Sequence, residues 1–253
     1  MNVLGQFKTS SKLQMALGLG LLAMVALLTY PKINSIIVLS LAVSLAVLID
    51  LILTKTRQLP AFLLSAAFIT GLIIALTFQP EVSWWQILLV VALAIGSKNY
   101  IRYKNRHIFN PAAFGLFFGS LLIGTPVSWW GVSWYQGPIL LLILIPGLVS
   151  LYLMKRHKIT LSFLLVYSVI ISLLTSSLSL LTILDPTVLF FALVMLPEPM
   201  TSPHSFRNQL LFGVTVAVLV GIVSWLSRYL PQFQLDPLIF ALLLGNLIFF
   251  KLR

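Results

Sequence analysis

The sequence predicts an all-α, polytopic membrane protein of about ten transmembrane segments, and three observations predict it. The first is composition. Sixty per cent of the 253 residues are apolar and 8% are charged, with a mean hydropathy of +1.07, whereas soluble domains carry about 25% charged residues. This excludes an ordinary water-soluble enzyme, and it excludes a disordered chain, which is poor in apolar residues. The second is segment length. Apolar stretches near the roughly 20 residues of a spanning helix run over approximately 13–30, 33–53, 61–78, 84–97, 111–124, 138–154, 160–177, 182–197, 209–227 and 236–252. The third is charge placement. With a cytoplasmic N-terminus and every segment crossing, Lys8, Lys12, Lys55, Arg57, Lys98, Arg102, Lys104, Arg106, Lys155, Arg156, Lys158, Arg207, Lys251 and Arg253 fall on the cytoplasmic side. Only Lys32 and Arg228 fall outside. Cytoplasmic loops collect Lys and Arg in this way, so the formal charge of +11 is read as topology and not as nucleic-acid binding. Both termini are then cytoplasmic in a cell-membrane protein, and the whole chain, 1–253, is one membrane domain.

Each segment can be justified locally. The first follows Lys8 and Lys12 and has no small-x-small cleavage pattern before Tyr30-Pro31-Lys32, so it reads as a retained helix. The fifth and eighth are short, and each borders a polar, proline-containing stretch: Asn110-Pro111, and Glu198-Pro199-Met200-Thr201-Ser202-Pro203. Non-helical backbone at membrane depth is tolerated only where protein encloses it or a cavity receives it. Asn110-Pro111, Asp185-Pro186 and Asp236-Pro237 each place a capping side chain before a proline at the first helical position. Asp185 and Asp236 are therefore read as caps, with ion ligation as the alternative. Trp84, Trp85, Trp129, Trp130, Trp134 and Trp225, with Tyr135 and Tyr229, fall near the outer side and read as an interfacial belt. A substrate-stacking role for the 129–135 loop is the alternative. His107-x-Phe with Gly115 and His204-x-Phe with Gly213 suggest an internal repeat, with halves 1–130 and 131–253.

Much chemistry is excluded. There is no cysteine, hence no disulfide, thiolate-held zinc or cysteine-ligated iron–sulfur cluster. His107, His157 and His204 all fall in predicted loops, leaving no axial haem ligand inside the bundle. No nucleophilic triad, phosphate-binding glycine loop or metal-spaced His/Glu cluster appears, so no catalytic or metal-ligating residue is assigned. Asp50, Glu81, Asp185, Glu198 and Asp236 sit at segment ends, which gives little support to a carboxylate-based ion route. Lys155–Thr160 reads as a solvated basic loop.

Two stretches remain. In 98–115, basic residues precede a capped helix start, where unpaired backbone N–H groups favour an anion; with Arg106 and His107 they could hold a phosphate. The alternative is an ordinary basic loop. In 196–207, three prolines stop regular helix around Glu198, Thr201, Ser202 and His204, and an ordinary interhelical loop is again the alternative.

These stretches also carry a resemblance. Arg106-His-Ile-Phe-Asn-Pro-Ala-Ala-Phe-Gly115 resembles the FNPAA-type motif of the RnfD/NqrB family, membrane subunits of the Rnf complex and of the sodium-translocating NADH:quinone oxidoreductase. Phe190-Phe-Ala-Leu-Val-Met-Leu-Pro-Glu-Pro-Met-Thr-Ser-Pro203 resembles its FFMATDPVTSP-type stretch, with Glu198-Pro199 where the family has Asp-Pro and a direct match at Thr201-Ser202-Pro203. The resemblance implies ten helices in two five-helix repeats, similar to urea and ammonium transporters. It also implies flavin binding and electron transfer, coupled in larger complexes to sodium or protons. One departure stands out. No Ser-Gly-Ala-Thr-type sequence occurs between 124 and 185, so FMN or riboflavin is expected to be bound non-covalently.

The expected function is a flavin-binding membrane subunit of an electron-transfer system, a component of an oxidoreductase complex more than a self-contained enzyme. Arg106, His107, Asn110, Pro111, Glu198, Thr201, Ser202 and His204 are the expected cofactor-binding residues. Lys98, Arg102, Lys104, Arg106 and Lys155–Lys158 would steer an acidic flavin- or ferredoxin-type donor from the cytoplasm. Other membrane subunits and the bilayer are the remaining partners, and nucleic acid is not one. The alternative reading is a transporter or channel for a small solute or riboflavin.

Overall fold

A computed structural model describes residues 11–57, 66–133, 140–175, 184–229 and 235–253. Among them are ten α-helices: α1 (Ser11–Thr29), α2 (Ile33–Thr56), α3 (Ala66–Thr77), α4 (Trp84–Tyr100), α5 (Pro111–Ile123), α6 (Leu140–Met154), α7 (His157–Thr175), α8 (Pro186–Phe190), α9 (Phe206–Ser227) and α10 (Pro237–Phe249). A two-stranded hairpin, β1 (Arg102–Tyr103) and β2 (Arg106–His107), joins α4 to α5. The protein is all-α in class. Trp134 and Tyr135 lie outside the described residues.

Among the described residues three helices, α2, α7 and α9, are long and apolar enough to cross a bilayer. Their outer faces fit lipid: Leu161, Leu165, Val169 and Leu173 recur every fourth residue along α7, each more than half exposed. The helices starting at Pro111, Pro186 and Pro237 begin as their sequences dictate. Asn110 Oδ1 accepts from Ala113 N at 3.1 Å. Asp185 Oδ1 accepts from Thr187 N at 2.8 Å and Val188 N at 3.2 Å. Asp236 Oδ1 accepts from Ile239 N at 2.9 Å. Capping with proline at the first position accounts for all three.

Three helices whose two ends both lie among the described residues, α5, α8 and α10, are too short to span alone. The sequence marks α5 (13 residues) and α8 as short, and α8 continues only as a buried π-helical turn, Phe191–Met195. It does not mark α10, whose 13 residues give way to a 3₁₀ turn at Phe250–Leu252. At the end of α3 the missing helical partners come from the 127–133 loop. Thr77 O accepts from Ser128 N (3.0 Å) and Trp129 N (3.1 Å), Leu76 O from Gly131 N (2.9 Å), and Ala75 O from the Trp130 indole (2.8 Å). Helix-end carbonyls are thus satisfied by buried loop instead of water.

This corrects the reading of all six tryptophans as one belt. Trp84, Trp85 and Trp225 are exposed, as interfacial anchors are. Trp129 is buried and donates from Nε1 to Asp236 Oδ2 at 2.6 Å. The indole N–H needs a partner once desolvated, and the Asp236 cap supplies one.

The packing places two ends in register. α2 packs on α3 and α4, and α4 on α5; α7 packs on α9, and α9 on α10. α1 meets α6, and α5 meets α10. Closeness is purchased by glycine: a Cβ on Gly115 would overlap the Val90 carbonyl oxygen of α4, and one on Gly213 would overlap Ser162 Oγ and the Ile159 carbonyl of α7. The motif partners Gly115 and Gly213 therefore serve helix contact, in a fifth and a ninth helix that hold different places in the packing. At one end Asp50 pairs with Lys98 at 2.8 Å; at the other Lys32 pairs with Glu81 at 3.6 Å.

Candidate functional site

The two proline-interrupted stretches meet. The β1–β2 hairpin turns through Lys104 and Asn105, both at positive φ, the geometry of a two-residue primed turn. It delivers Arg106 and His107 to the start of α5. The second stretch leaves the π-helical turn at Leu196 and folds back on itself, with Thr201 N and Ser202 N both bonding the Glu198 carbonyl at 3.1 and 3.0 Å.

All eight expected residues fall at this junction. His107 Nε2 lies 3.0 Å from Glu198 Oε1, and Thr201 Oγ1 donates to Glu198 Oε2 at 3.0 Å. Ser202 Oγ donates to the Glu198 carbonyl at 2.8 Å. Asn110 donates from Nδ2 to the Met195 carbonyl at 3.2 Å, and its backbone N–H donates to Asn246 Oδ1 at 2.8 Å. Pro111 is buried as the first residue of α5. Arg106 Nη1 lies 2.7 Å from His204 Nε2. Asn110, Thr201, Ser202 and His107 are buried, Arg106 and Glu198 half-buried, and His204 exposed. The result is a polar junction in which the buried His107, Asn110, Thr201 and Ser202 are held by neighbouring groups.

Four further residues complete it. Asn246 of α10 bridges both stretches, accepting from Asn110 N and donating from Nδ2 to the Thr201 carbonyl at 3.3 Å. Arg253 donates to the His107 carbonyl at 3.1 Å and the Asn246 carbonyl at 2.6 Å. Gln209 donates to the His204 carbonyl at 3.0 Å and the Lys155 carbonyl at 3.2 Å. Arg156 donates to the Pro203 carbonyl, and its Nη2 lies 2.8 Å from His204 Nδ1. A lone asparagine in the apolar run Pro237–Phe249 is the signal that could have found Asn246. Arg156 corrects the solvated-loop reading of Lys155–Thr160. It is buried, His157 opens α7, and Thr160 is buried with its hydroxyl on the Ala192 carbonyl at 2.6 Å. Lys98 is likewise engaged by Asp50, leaving Arg102, Lys104 and Lys155 as exposed basic residues of the expected set.

Electrostatics follow from crowding. Burial, then Arg156 and Arg106, hold the His204 imidazole below its ordinary range. Burial, then Arg106, lowers Arg156. Burial also brings Arg253 down to about 10, with Glu198 opposing and Arg106 adding.

A second feature lies at the opposite end of α5 and α10. A cleft of about 260 Å³ is lined by Phe117, Ser120, Thr125, Val127, Asp236 and Ile239, among others. Phe117 stacks on Phe240 at 5.1 Å between centroids, 13° from parallel. The Ser120 hydroxyl is buried with no hydrogen-bond partner. No group of three or more metal-ligating side chains occurs among the described residues.

No curated protein matches the chain. A model of the NQR2, RnfD, RnfE family matches residues 6–136, just over half of the 253 residues. That stretch takes in α1 to α5, the hairpin and the Asn110-Pro111 helix start. The chain belongs to the NQR2, RnfD, RnfE family, whose members are membrane subunits of electron-transport complexes.

Proposed function

We propose that this protein is an electron-transfer subunit of the cell membrane that holds FMN or riboflavin non-covalently. The observation that carries the reading is the family match. The flavin is assigned to the cleft between α5 and α10 and not to the junction. At the junction, Asn110, Thr201 and Ser202 have their polar groups committed to neighbours, so these three are not free to hydrogen-bond a flavin ring. The cleft, at about 260 Å³, receives part of a flavin; it offers an aromatic wall at Phe117, and the partnerless Ser120 hydroxyl lies within its lining. A buried polar group without a partner costs about 1–3 kcal/mol, which a bound ligand's heteroatom removes. Ser120 and Thr125 would hydrogen-bond the ligand and Phe117 would pack on it. When bound, a flavin passes electrons singly or in pairs, and the protein contributes binding, orientation and tuning.

The eight junction residues then have an indirect role. They fix the basic ends of α5 and α10, the two helices that wall the cleft at their other ends. Exposed Arg102, Lys104, Lys155, Arg207 and Lys251 would raise the encounter rate of an acidic flavin- or ferredoxin-type donor. The basic end is assigned to the cytoplasm by the same charge rule, with both termini there. The packing also supports two five-helix halves. α1 meets α6 and α5 meets α10, while α4 lies on α5 as α9 lies on α10. Ten crossings or part-crossings would follow, with ion coupling and further carriers lying in the assembled complex.

An absorbance scan of the purified chain tests this. A flavin spectrum is expected, and Ser120→Phe, which fills the cleft, is expected to remove it while leaving membrane insertion intact. Flavin retained in Ser120→Phe rejects the cleft, and a folded colourless wild type rejects flavin binding. Uptake of labelled riboflavin into proteoliposomes without any electron donor would favour the transport reading instead.

A further inference from the structure

Arg156 is 2% exposed, and a buried guanidinium without an opposite charge is costly. The chain's own carboxylates do not supply that charge. All five lie among the described residues. Asp50 pairs with Lys98, Glu81 with Lys32, and Glu198 with His107. Asp185 and Asp236 cap α8 and α10 at the far end. None reaches Arg106 or Arg156.

Arg156 donates to the Pro203 carbonyl, and beyond that the two arginines meet one imidazole. Arg156 Nη2 lies 2.8 Å from His204 Nδ1, and Arg106 Nη1 lies 2.7 Å from His204 Nε2. A neutral imidazole has a single acceptor nitrogen, and a protonated one has none. One guanidinium contact therefore opposes N–H to N–H. Arg156 Nε is buried with no partner at all. The cluster holds two permanent cations and is short of acceptors.

We infer that Arg106, Arg156 and His204 form an oxyanion site that takes a phosphate group. Guanidinium forks match phosphate oxygens in pairs, and the exposed His204 with half-buried Arg106 leaves the site open at the basic surface. The phosphate comes either from the headgroup of an anionic phospholipid or from free phosphate, since both present the same oxygens. The site lies at the opposite end of the bundle from the flavin cleft and does not rest on the flavin reading.

The test follows thermal unfolding of the purified full chain. Inorganic phosphate is titrated in phosphate-free detergent buffer, with chloride at matched ionic strength as control. In parallel, nanodiscs of phosphatidylcholine are compared with nanodiscs also containing phosphatidylglycerol. A saturable rise in Tm with phosphate supports the site with free phosphate as ligand. A rise with phosphatidylglycerol alone supports it with a lipid headgroup. In either case Arg106→Gln is expected to weaken the response about ten-fold or more, the effect of removing one charge-assisted pair. Arg156→Gln should act the same way, and Arg106→Gln carries the test if that buried variant fails to accumulate. No rise with either ligand overturns the proposal, as does a rise equal to that with chloride or one unchanged in Arg106→Gln. Flavin content measured on the same samples is expected to stay constant, so loss of flavin with an intact phosphate response counts against the cleft alone.

Discussion

Asn246→Leu is expected to destabilise the protein by about 3 kcal/mol or more, because two buried backbone groups lose their partners at about 1–3 kcal/mol each. The amide is placed so that one side chain serves both interrupted stretches. Its oxygen takes the Asn110 N–H, the donor that the start of α5 cannot satisfy internally, and its nitrogen reaches the Thr201 carbonyl. Leucine has similar volume and suits an apolar helix, so hydrophobicity alone predicts a neutral or favourable change. The two expectations are opposite in sign. The neighbouring Leu247, which faces outward and is 48% exposed, provides the control: Leu247→Ala should cost well under about 1 kcal/mol, as surface changes do. Thermal or denaturant unfolding in detergent of both variants separates the two accounts. Equal stability of Asn246→Leu and wild type would remove the bridging role.

Gly213→Leu has the second large effect. Even a single Cβ at this position would overlap Ser162 Oγ and the Ile159 carbonyl. The latter belongs to helix backbone and cannot rotate away, so α7 and α9 must separate. Overpacking of a tight contact costs about 1–3 kcal/mol, and a leucine side chain takes the upper end. Gly96→Ala in α4 provides the contrast. A Cβ there meets nothing within 4 Å, and alanine is the better helix former by about 1 kcal/mol. The first substitution should lower Tm and the second should leave it unchanged or raise it. A Gly213→Leu protein as stable as the parent would mean that α7 and α9 do not touch as described.

How much of this was legible in the sequence depends on whether a residue's reason is local. Asn110, Asp185 and Asp236 announce themselves, because a cap followed by proline states both where a helix starts and what satisfies its first N–H groups. The meeting of the two stretches was legible in outline, since a polar, proline-rich interruption in an apolar chain must be enclosed by something. The charge rule anticipated which basic residues share an end, and Arg57 reaching Asn99 at 3.4 Å and Asp50 pairing with Lys98 agree with it.

Arg156 was not legible. Its partners are a carbonyl and an imidazole some 47 and 48 residues away, and in the sequence it is one basic residue among several in a loop. Trp129 was misread for a related reason: its neighbours match an interfacial belt, and only Asp236, distant in sequence, draws it inside. The shortness of α10 was hidden because its apolar run continues through the 3₁₀ turn, and hydropathy does not distinguish one helical form from another. The junction was half legible: the sequence singles out its eight residues, but which of them pair with one another is a matter of geometry.

The central claim is that the start of α5 and the proline-rich turn after α8 are in contact. The absence of native cysteine allows a clean measurement. His107→Cys and Glu198→Cys, whose side chains lie 3.0 Å apart, are introduced together in native membranes and treated with a short bis-maleimide. Cross-linked peptides are then identified by mass spectrometry. The account predicts a strong 107–198 cross-link and none in a matched pair joining 198 to Lys32→Cys at the opposite end of the bundle. A 107–198 yield no higher than that control would contradict it.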